Sequence, residues 1–255
     1  LPTPGAGPDG TLVGPDGNVW FSETELSRIG RITPDGKVTE FADGISPGAR
    51  PLSIAERDGA MWFSEAAGNR VGRITMDGTV TEFPIPSHDS QPRAMTTHPD
   101  GSIWFVQTST NSLGRIDREG KAPADNPYLK QAGALPEIWS VGHRNIQGAA
   151  LDPATGELWT NEHGPKGGDE LNRTLGGRNY GWPLVTYGTE YSGKPISDKT
   201  AAPGLESPVH FWVPSIATSG LAFYTGAAIP AWKSNVFVGG LKSGELSRLE
   251  MRDGK

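Results

Sequence analysis

The sequence predicts an all-β protein, a β-propeller of about five four-stranded blades. Three observations carry that prediction. Trp20, Trp62 and Trp104 fall 42 residues apart, and Gly30, Gly72 and Gly114 keep the same period. Glycines of Asp-Gly or Glu-Gly turns stand at Gly17, Gly36, Gly59, Gly78, Gly101 and Gly120, separated alternately by 19 and 23 residues. Two tight turns in each repeat make two hairpins, and two hairpins make one antiparallel blade of the usual propeller length. Finally, 35 Gly and 22 Pro in 255 residues interrupt every window long enough for a helix.

The elements follow in order. In the first repeat, strand a is expected near residues 11–13, b at 19–23, c at 27–33 and d at 37–41; the alternation in "KVTEF" suits a sheet with two unlike faces. "MWFSEAAGNRVGRITMDGTVTEF", residues 61–83, repeats the pattern almost letter for letter. The third repeat starts as "IWFVQTSTNSLGRIDREGK" and takes its outer strand from "EIWSVG", residues 137–142. "GAALDPATGELWTNEH", residues 148–163, gives strands a and b of a fourth blade, with "VHFWV", residues 209–213, as its outer strand. Residues 220–255 give a, a longer turn, b and c of a fifth blade, ending just after Asp253-Gly254. Its outer strand is not found. A sixth blade arises if the termini or a partner complete one, and an open edge invites self-association. "LPTP" at residues 1–4 aligns with "IPSH" at 85–88, so it reads as the link that follows a strand d.

Composition excludes several function classes. The formal charge of -6 offers no basic face for nucleic acid, and no apolar run approaches a membrane span. With no Cys there is no disulfide, thiolate metal site or thiol nucleophile. The chain opens at Leu1 without Met or a signal-peptide pattern, so a processed or trimmed sequence is expected.

Residues 7–116 resemble the streptogramin B (virginiamycin B) lyase family of propellers, through "GPDGNVWFSE", "RIGRITPDGKVTEF" and "TVTEFPIPSHDSQPRA". That family implies metal-assisted opening of a cyclic depsipeptide, with a His about 14 residues before the Glu ending strand b. Glu23 has Asp9 there, Glu65 has Pro51 and Leu52, and the third blade has Arg93 with Gln107. No blade carries the His–Glu pair.

Residues 119–255 resemble the soluble aldose sugar dehydrogenases, which use pyrroloquinoline quinone (PQQ) and calcium. The stretches are "GKAPADNPY", "PEIWSVGHRNIQGAALDP", "LWTNEHGPKGGDELN", "GRNYGWPLVTYG" and "GLAFYTG" with "FVGGLKSGEL". The resemblance implies that Arg144, Asn145 and Gln147 hold the quinone's carboxylates and carbonyls, and that Lys242 pairs with a further anionic group. It implies calcium on the backbone carbonyls of Gly164 and Pro165, and a second, structural calcium involving Glu170 and Tyr180. Three carboxylates suit Arg and Lys, and calcium suits carbonyl oxygen. The family's catalytic base is a His on an early blade, expected to be missing here, so the catalytic residue is unknown.

Strand order gives an independent placement. The Asp-Gly turns join a to b and c to d, so the b–c and d–a connections share the other face. Arg144 to Gln147, residues 163–168 and Lys242 all fall there, with Glu23, Glu65 and Glu162 ending their b strands beside them. Other readings stand next to these. The four strand-b tryptophans, Trp159 included, are packing residues; Arg31, Arg73 and Arg115 cover sheet surface. The glutamates are solvated carboxylates or a cation site, "GGDE" is a turn or a calcium loop, and "GHRN" anchors a loop or a cofactor.

The whole is expected to form a single propeller domain, with lyase-like blades over 1–118 and dehydrogenase-like blades over 119–255. The first functional reading is a chimeric or engineered propeller joined near residues 117–122, with a relict PQQ and calcium surface and no efficient catalysis. The alternative is a PQQ- and calcium-dependent sugar dehydrogenase acting on a small-molecule sugar, and the third is a lyase. Both families imply a periplasmic or extracellular location; for an engineered chain the location is unknown.

Overall fold

The computed structural model describes residues 1–251, so the Asp253-Gly254 turn lies outside the described residues. The fold is all-β, of propeller blades, and among the described residues its only helical pieces are three single 3-10 turns. The first sheet is β1 (Pro8–Val13), β2 (Val19–Glu23), β3 (Arg28–Ile32) and β4 (Val38–Phe41). The second is β5 (Pro51–Arg57), β6 (Ala60–Glu65), β7 (Arg70–Thr75) and β8 (Val80–Pro84). The third is β9 (Pro92–Thr97), β10 (Ile103–Gln107), β11 (Ser112–Ile116) and β12 (Ile138–Val141). The fourth is β13 (Ile146–Leu151), β14 (Leu158–Glu162), β15 (Asp169–Arg173) and β16 (His210–Trp212). The fifth, β17 (Thr218–Phe223), β18 (Val236–Gly240) and β19 (Glu245–Leu249), has three strands among the described residues. Each sheet is a sequential meander.

All six turn glycines adopt positive φ, from 73° at Gly17 and Gly59 to 95° at Gly78, which a side chain resists. The first strands begin earlier than their hydrophobic pattern suggests, at Pro8 rather than near Thr11. Proline supplies no ladder N–H, so it marks the first residue of β1, β5 and β9 alike.

The chain divides into two compact units. One comprises Leu1–Thr110 and Gly114–Ile138, the other Asn111–Leu113 and Trp139–Lys255. In the first unit, β5 lies beside β1 and β9 beside β5. Trp20 and Ile29 pack there on Met61, Phe63 and Ile74, and Trp62 and Val71 pack on Ile103, Phe105 and Ile116. In the second unit β17 lies beside β13, and Trp159 and Leu171 meet Val236 and Val238. The tryptophans are packing residues, and the repeat arginines do cover them: the Arg31 guanidinium lies 5.2 Å from the Trp20 ring, Arg73 6.0 Å from Trp62 and Arg115 5.3 Å from Trp104.

A polar clasp recurs with the repeat. Thr3 donates its N–H and Oγ1 to Glu40, Ser46 does the same to Glu82, and Ser87 to Glu137. Thr3 therefore occupies the position of Ser87, the linking role that the alignment of "LPTP" with "IPSH" assigns. Among the described residues no helix is long and apolar enough to cross a membrane.

Candidate functional site

In the second unit, β13 opens with Ile146 paired to Glu162, and the register then slips so that Gly148 faces Asn161. Gln147 is the extra residue of that bulge, a device that re-aims a side chain at the start of a strand. Asn145 stands just before it and accepts the His163 N–H at its carbonyl, 2.9 Å. The Gln147 Nε2 donates to Asn145 Oδ1 at 2.8 Å, so the two amides are already coupled.

Glu162 organises this corner. Its Oε1 accepts from His143 Nδ1 at 3.2 Å and Asn172 Nδ2 at 2.9 Å; its Oε2 accepts the Arg144 N–H at 2.5 Å and the Asn145 N–H at 3.4 Å. Burial would push this carboxyl up, but the His143 contact and the two backbone donors outweigh it and hold Glu162 below its usual value. Across the ladder Glu162 faces Glu170. Burial first, then the Glu162 charge, pushes Glu170 up to about 8. His143 is buried, stacks on Tyr180 at 4.6 Å and lies 2.9 Å from Ser140 Oγ.

The loop at residues 163–168 is folded onto Arg144. Arg144 Nη1 donates to the carbonyls of His163 at 2.8 Å and Gly164 at 3.1 Å, while the guanidinium lies 5.2 Å from the Trp182 ring centre. Asp169, buried at the loop's end, accepts from the Gly164 N–H at 3.0 Å and from Ser215 Oγ at 2.9 Å. A Cβ on Gly164 would fall 2.1 Å from the Gly167 carbonyl oxygen, so only glycine fits.

The expected residues therefore meet unevenly. Arg144, Gly164, Glu170 and Tyr180 line one cavity of about 10 Å³, room for about one water molecule, and Asn145 and Gln147 sit against each other next to it. Pro165 follows in the loop without lining that cavity, and Lys242 is exposed in the turn after β18. Tyr180 turns its hydroxyl away to donate to the Arg173 carbonyl and accept from the Leu175 N–H. His143, Asp169 and Trp182 were not singled out from the sequence. "GHRN" and "GGDE" contain the first two as neighbours of expected residues, and that adjacency is the only signal.

The residues fit a carboxylate-rich cofactor at Arg144. Among the described residues its bonds to the protein use Nη1 alone, leaving the rest of the guanidinium edge for an anion. They fit calcium less well. The Gly164 carbonyl is engaged by a guanidinium, and among the described residues no three His, Asp or Glu side chains converge as a metal site.

A family model for glucose / sorbosone dehydrogenase matches residues 105–255, and one for the virginiamycin B lyase family matches residues 1–136. The chain belongs to both families. The two matches overlap over residues 105–136, a stretch that takes in residues 117–122. Among curated relatives, the aldose sugar dehydrogenase YliI of Escherichia coli (strain K12) is 48% identical over 130 residues, 50% of this chain and 35% of the relative. The quinoprotein glucose dehydrogenase B of Acinetobacter calcoaceticus is 33% identical over 128 residues, 49% of this chain and 25% of the relative. The chain thus spans about a third or less of the length of these relatives. Among solved structures, the apo-form of the soluble aldose sugar dehydrogenase from Escherichia coli superposes with a TM-score of 0.80 at 27% identity, over 97% of this chain and 84% of that one. The virginiamycin B lyase from Staphylococcus aureus gives 0.61 at 26%, over 99% and 69%.

Proposed function

We propose that the chain belongs to a PQQ-dependent aldose sugar dehydrogenase, with the second unit carrying the cofactor corner. The observation that carries this reading is Arg144, pinned by one nitrogen to the His163 and Gly164 carbonyls and fixed over Trp182, with its remaining donors free. A guanidinium held this way presents a planar, permanently charged fork to a carboxylate. The coupled amides of Asn145 and Gln147 add donors and acceptors for ring oxygens beside it. Lys242 would take a further anionic group.

When bound, the quinone supplies the two-electron acceptor for oxidation of a sugar hydroxyl. The chain's own part here is to bind and orient. Glu162 holds the Arg144 backbone in place, and Asp169 holds the 163–168 loop. His163 donates Nε2–H to the Thr218 carbonyl at 2.7 Å, which fixes its ring. No catalytic base is assigned. Calcium at Gly164 and Pro165 would share the Gly164 carbonyl with the Arg144 guanidinium, like charge beside like charge, and no step is derived through it.

Among the three sequence readings, the family match over residues 105–255 and the 48% identical aldose sugar dehydrogenase support this one over an engineered propeller without efficient activity. The lyase reading is weaker: in the lyase-like blades Glu23 and Glu65, which end their b strands, have no hydrogen-bond partner among the described residues, histidine included. A periplasmic or extracellular location goes with the family reading.

The test is reconstitution of the chain with PQQ. Quinone absorbance should shift on binding, and Arg144→Ala should weaken binding at least about tenfold. Glucose-dependent dye reduction then reads turnover separately. Unchanged binding in Arg144→Ala would remove that residue from the site and the proposal with it.

A further inference from the structure

We propose that the first unit carries a separate binding pocket for a small hydroxylated carboxylate, such as a sugar acid, anchored by Arg93. A cavity of about 470 Å³ opens where the starts of β5 and β9 meet the turn from β6 to β7. That volume is in the range of small-molecule sites. Arg50, Asn69, Asp89, Gln91 and Arg93 supply its polar lining.

The register shows what these positions are. Pro51 pairs with Glu65, Pro92 with Gln107 and Ile146 with Glu162, each followed by a slip in the ladder. Arg93 therefore stands at the bulge position of Gln147, and Arg50 and Gln91 at that of Asn145. The repeat aims these side chains outward from the ends of first strands, whatever the fate of the quinone reading.

The backbone gives a second observation. Arg50, Asn69, Asp89 and Gln91 have φ of 55°, 53°, 48° and 50°, four of the nine non-glycine residues at positive φ among the described residues. Such conformations persist only where the surroundings over-determine them, and they gather at binding sites. Here Asn69 fixes the wall. Its Nδ2 donates to the Ile85 and Ser87 carbonyls at 3.2 and 2.8 Å, and its Oδ1 accepts from Ser90 N–H and Oγ at 2.8 and 2.7 Å. The Arg50 carbonyl accepts the Ala66 N–H at 3.2 Å.

Charge selects the ligand. Arg50 is neutralised by Glu25 at 2.9 Å. Arg93 is exposed and, among the described residues, has no hydrogen-bond or ion-pair partner. A guanidinium offers donors and no lone pair for a metal, so Arg93 takes an anionic group and its fork suits a carboxylate, while the Asp89 carboxylate of the same lining makes the site one for a ligand with both acceptors and donors. Asp89 and Gln91 are exposed beside it and can accept from hydroxyl groups.

The experiment titrates gluconate into the full chain and follows backbone amide shifts by NMR. Saturable shifts are expected at residues 50–52, 66–69 and 89–93. Exposed Arg93 can be changed without disturbing the core, and Arg93→Gln should weaken binding at least about tenfold. Glucose, which lacks the carboxylate, and acetate, which lacks the hydroxyls, should each bind more weakly than gluconate. Arg144→Ala should leave gluconate affinity unchanged, which keeps this pocket distinct from the quinone corner. Absence of saturable shifts, equal affinity for glucose or acetate, or full binding in Arg93→Gln would overturn the proposal. So would shifts confined to residues 142–170.

Discussion

Changing Glu65 to Gln isolates one buried proton. Glu65 ends β6 with its side chain fully buried, and neither carboxyl oxygen has a donor among the described residues. Its neighbour is the Glu82 carboxylate, itself occupied by Ser46 N–H and Oγ at 2.5 and 2.7 Å. Gly72 leaves the space between them, since a Cβ there would fall 2.8 Å from Glu65 Oε1. A buried carboxyl with no donor on either oxygen and a carboxylate for a neighbour is held in its neutral, protonated form. Burial first, and then the Glu82 charge, pushes Glu65 from 4.5 to about 8. Because the folded value lies above the unfolded one, the native chain keeps a proton that the unfolded chain gives up. The stabilising contribution is full below pH 4.5 and is lost as pH rises through 8. Each pH unit in that window removes at most about 1.4 kcal/mol, roughly 5 kcal/mol in all. Glu65→Gln replaces the carboxyl with a neutral donor of the same shape, the residue the third sheet already carries as Gln107. Urea unfolding followed by tryptophan fluorescence at pH 5, 7 and 9 measures the difference between the two proteins, which cancels the other titrating groups. The variant should match the parent at pH 5 and exceed it by several kcal/mol at pH 9. A difference that stays flat across that range would refute the buried proton.

Two further predictions concern the packing and the site. Trp62, 1% exposed and stacked on Phe83 at 5.5 Å, should cost about 3–5 kcal/mol when replaced by Ala, read as a lower midpoint in thermal unfolding. Asp169→Asn turns an amide donor toward the Gly164 N–H, Ser215 Oγ and Thr218 N–H, which now donate to the carboxylate. It should cost about 1–3 kcal/mol and speed hydrogen exchange at the Gly164 amide.

The repeat made most of the fold legible. Tryptophan spacing and Asp-Gly turns place β2, β3 and β4 within a residue or so of their observed ends, because alternation and turn chemistry are local signals. β15 was harder. It is five residues long, Asp169–Arg173, with Asp, Glu, Asn and Arg among them, so no hydrophobic alternation marks it. Its partner β16 begins only at His210, and residues 174–209 contain no strand. The site was legible as a set of residue types and illegible as a set of bonds. Arg144 and Gly164 were both expected to face a cofactor, but the bond between them depends on how the 163–168 loop turns. The buried His143–Glu162 pair joins residues 19 apart whose meeting only the β13 to β14 register decides.

The clasp between a hydroxyl-bearing linker residue and the glutamate of an outer strand has a corollary. Its third copy joins Ser87, in lyase-type sequence, to Glu137, in dehydrogenase-type sequence, with the same two donors converging on one carboxyl oxygen, Oε1. A coupling that asks only for Ser or Thr on one side and Glu on the other is portable. The same joint therefore holds whether the residues beside it follow the lyase or the dehydrogenase pattern.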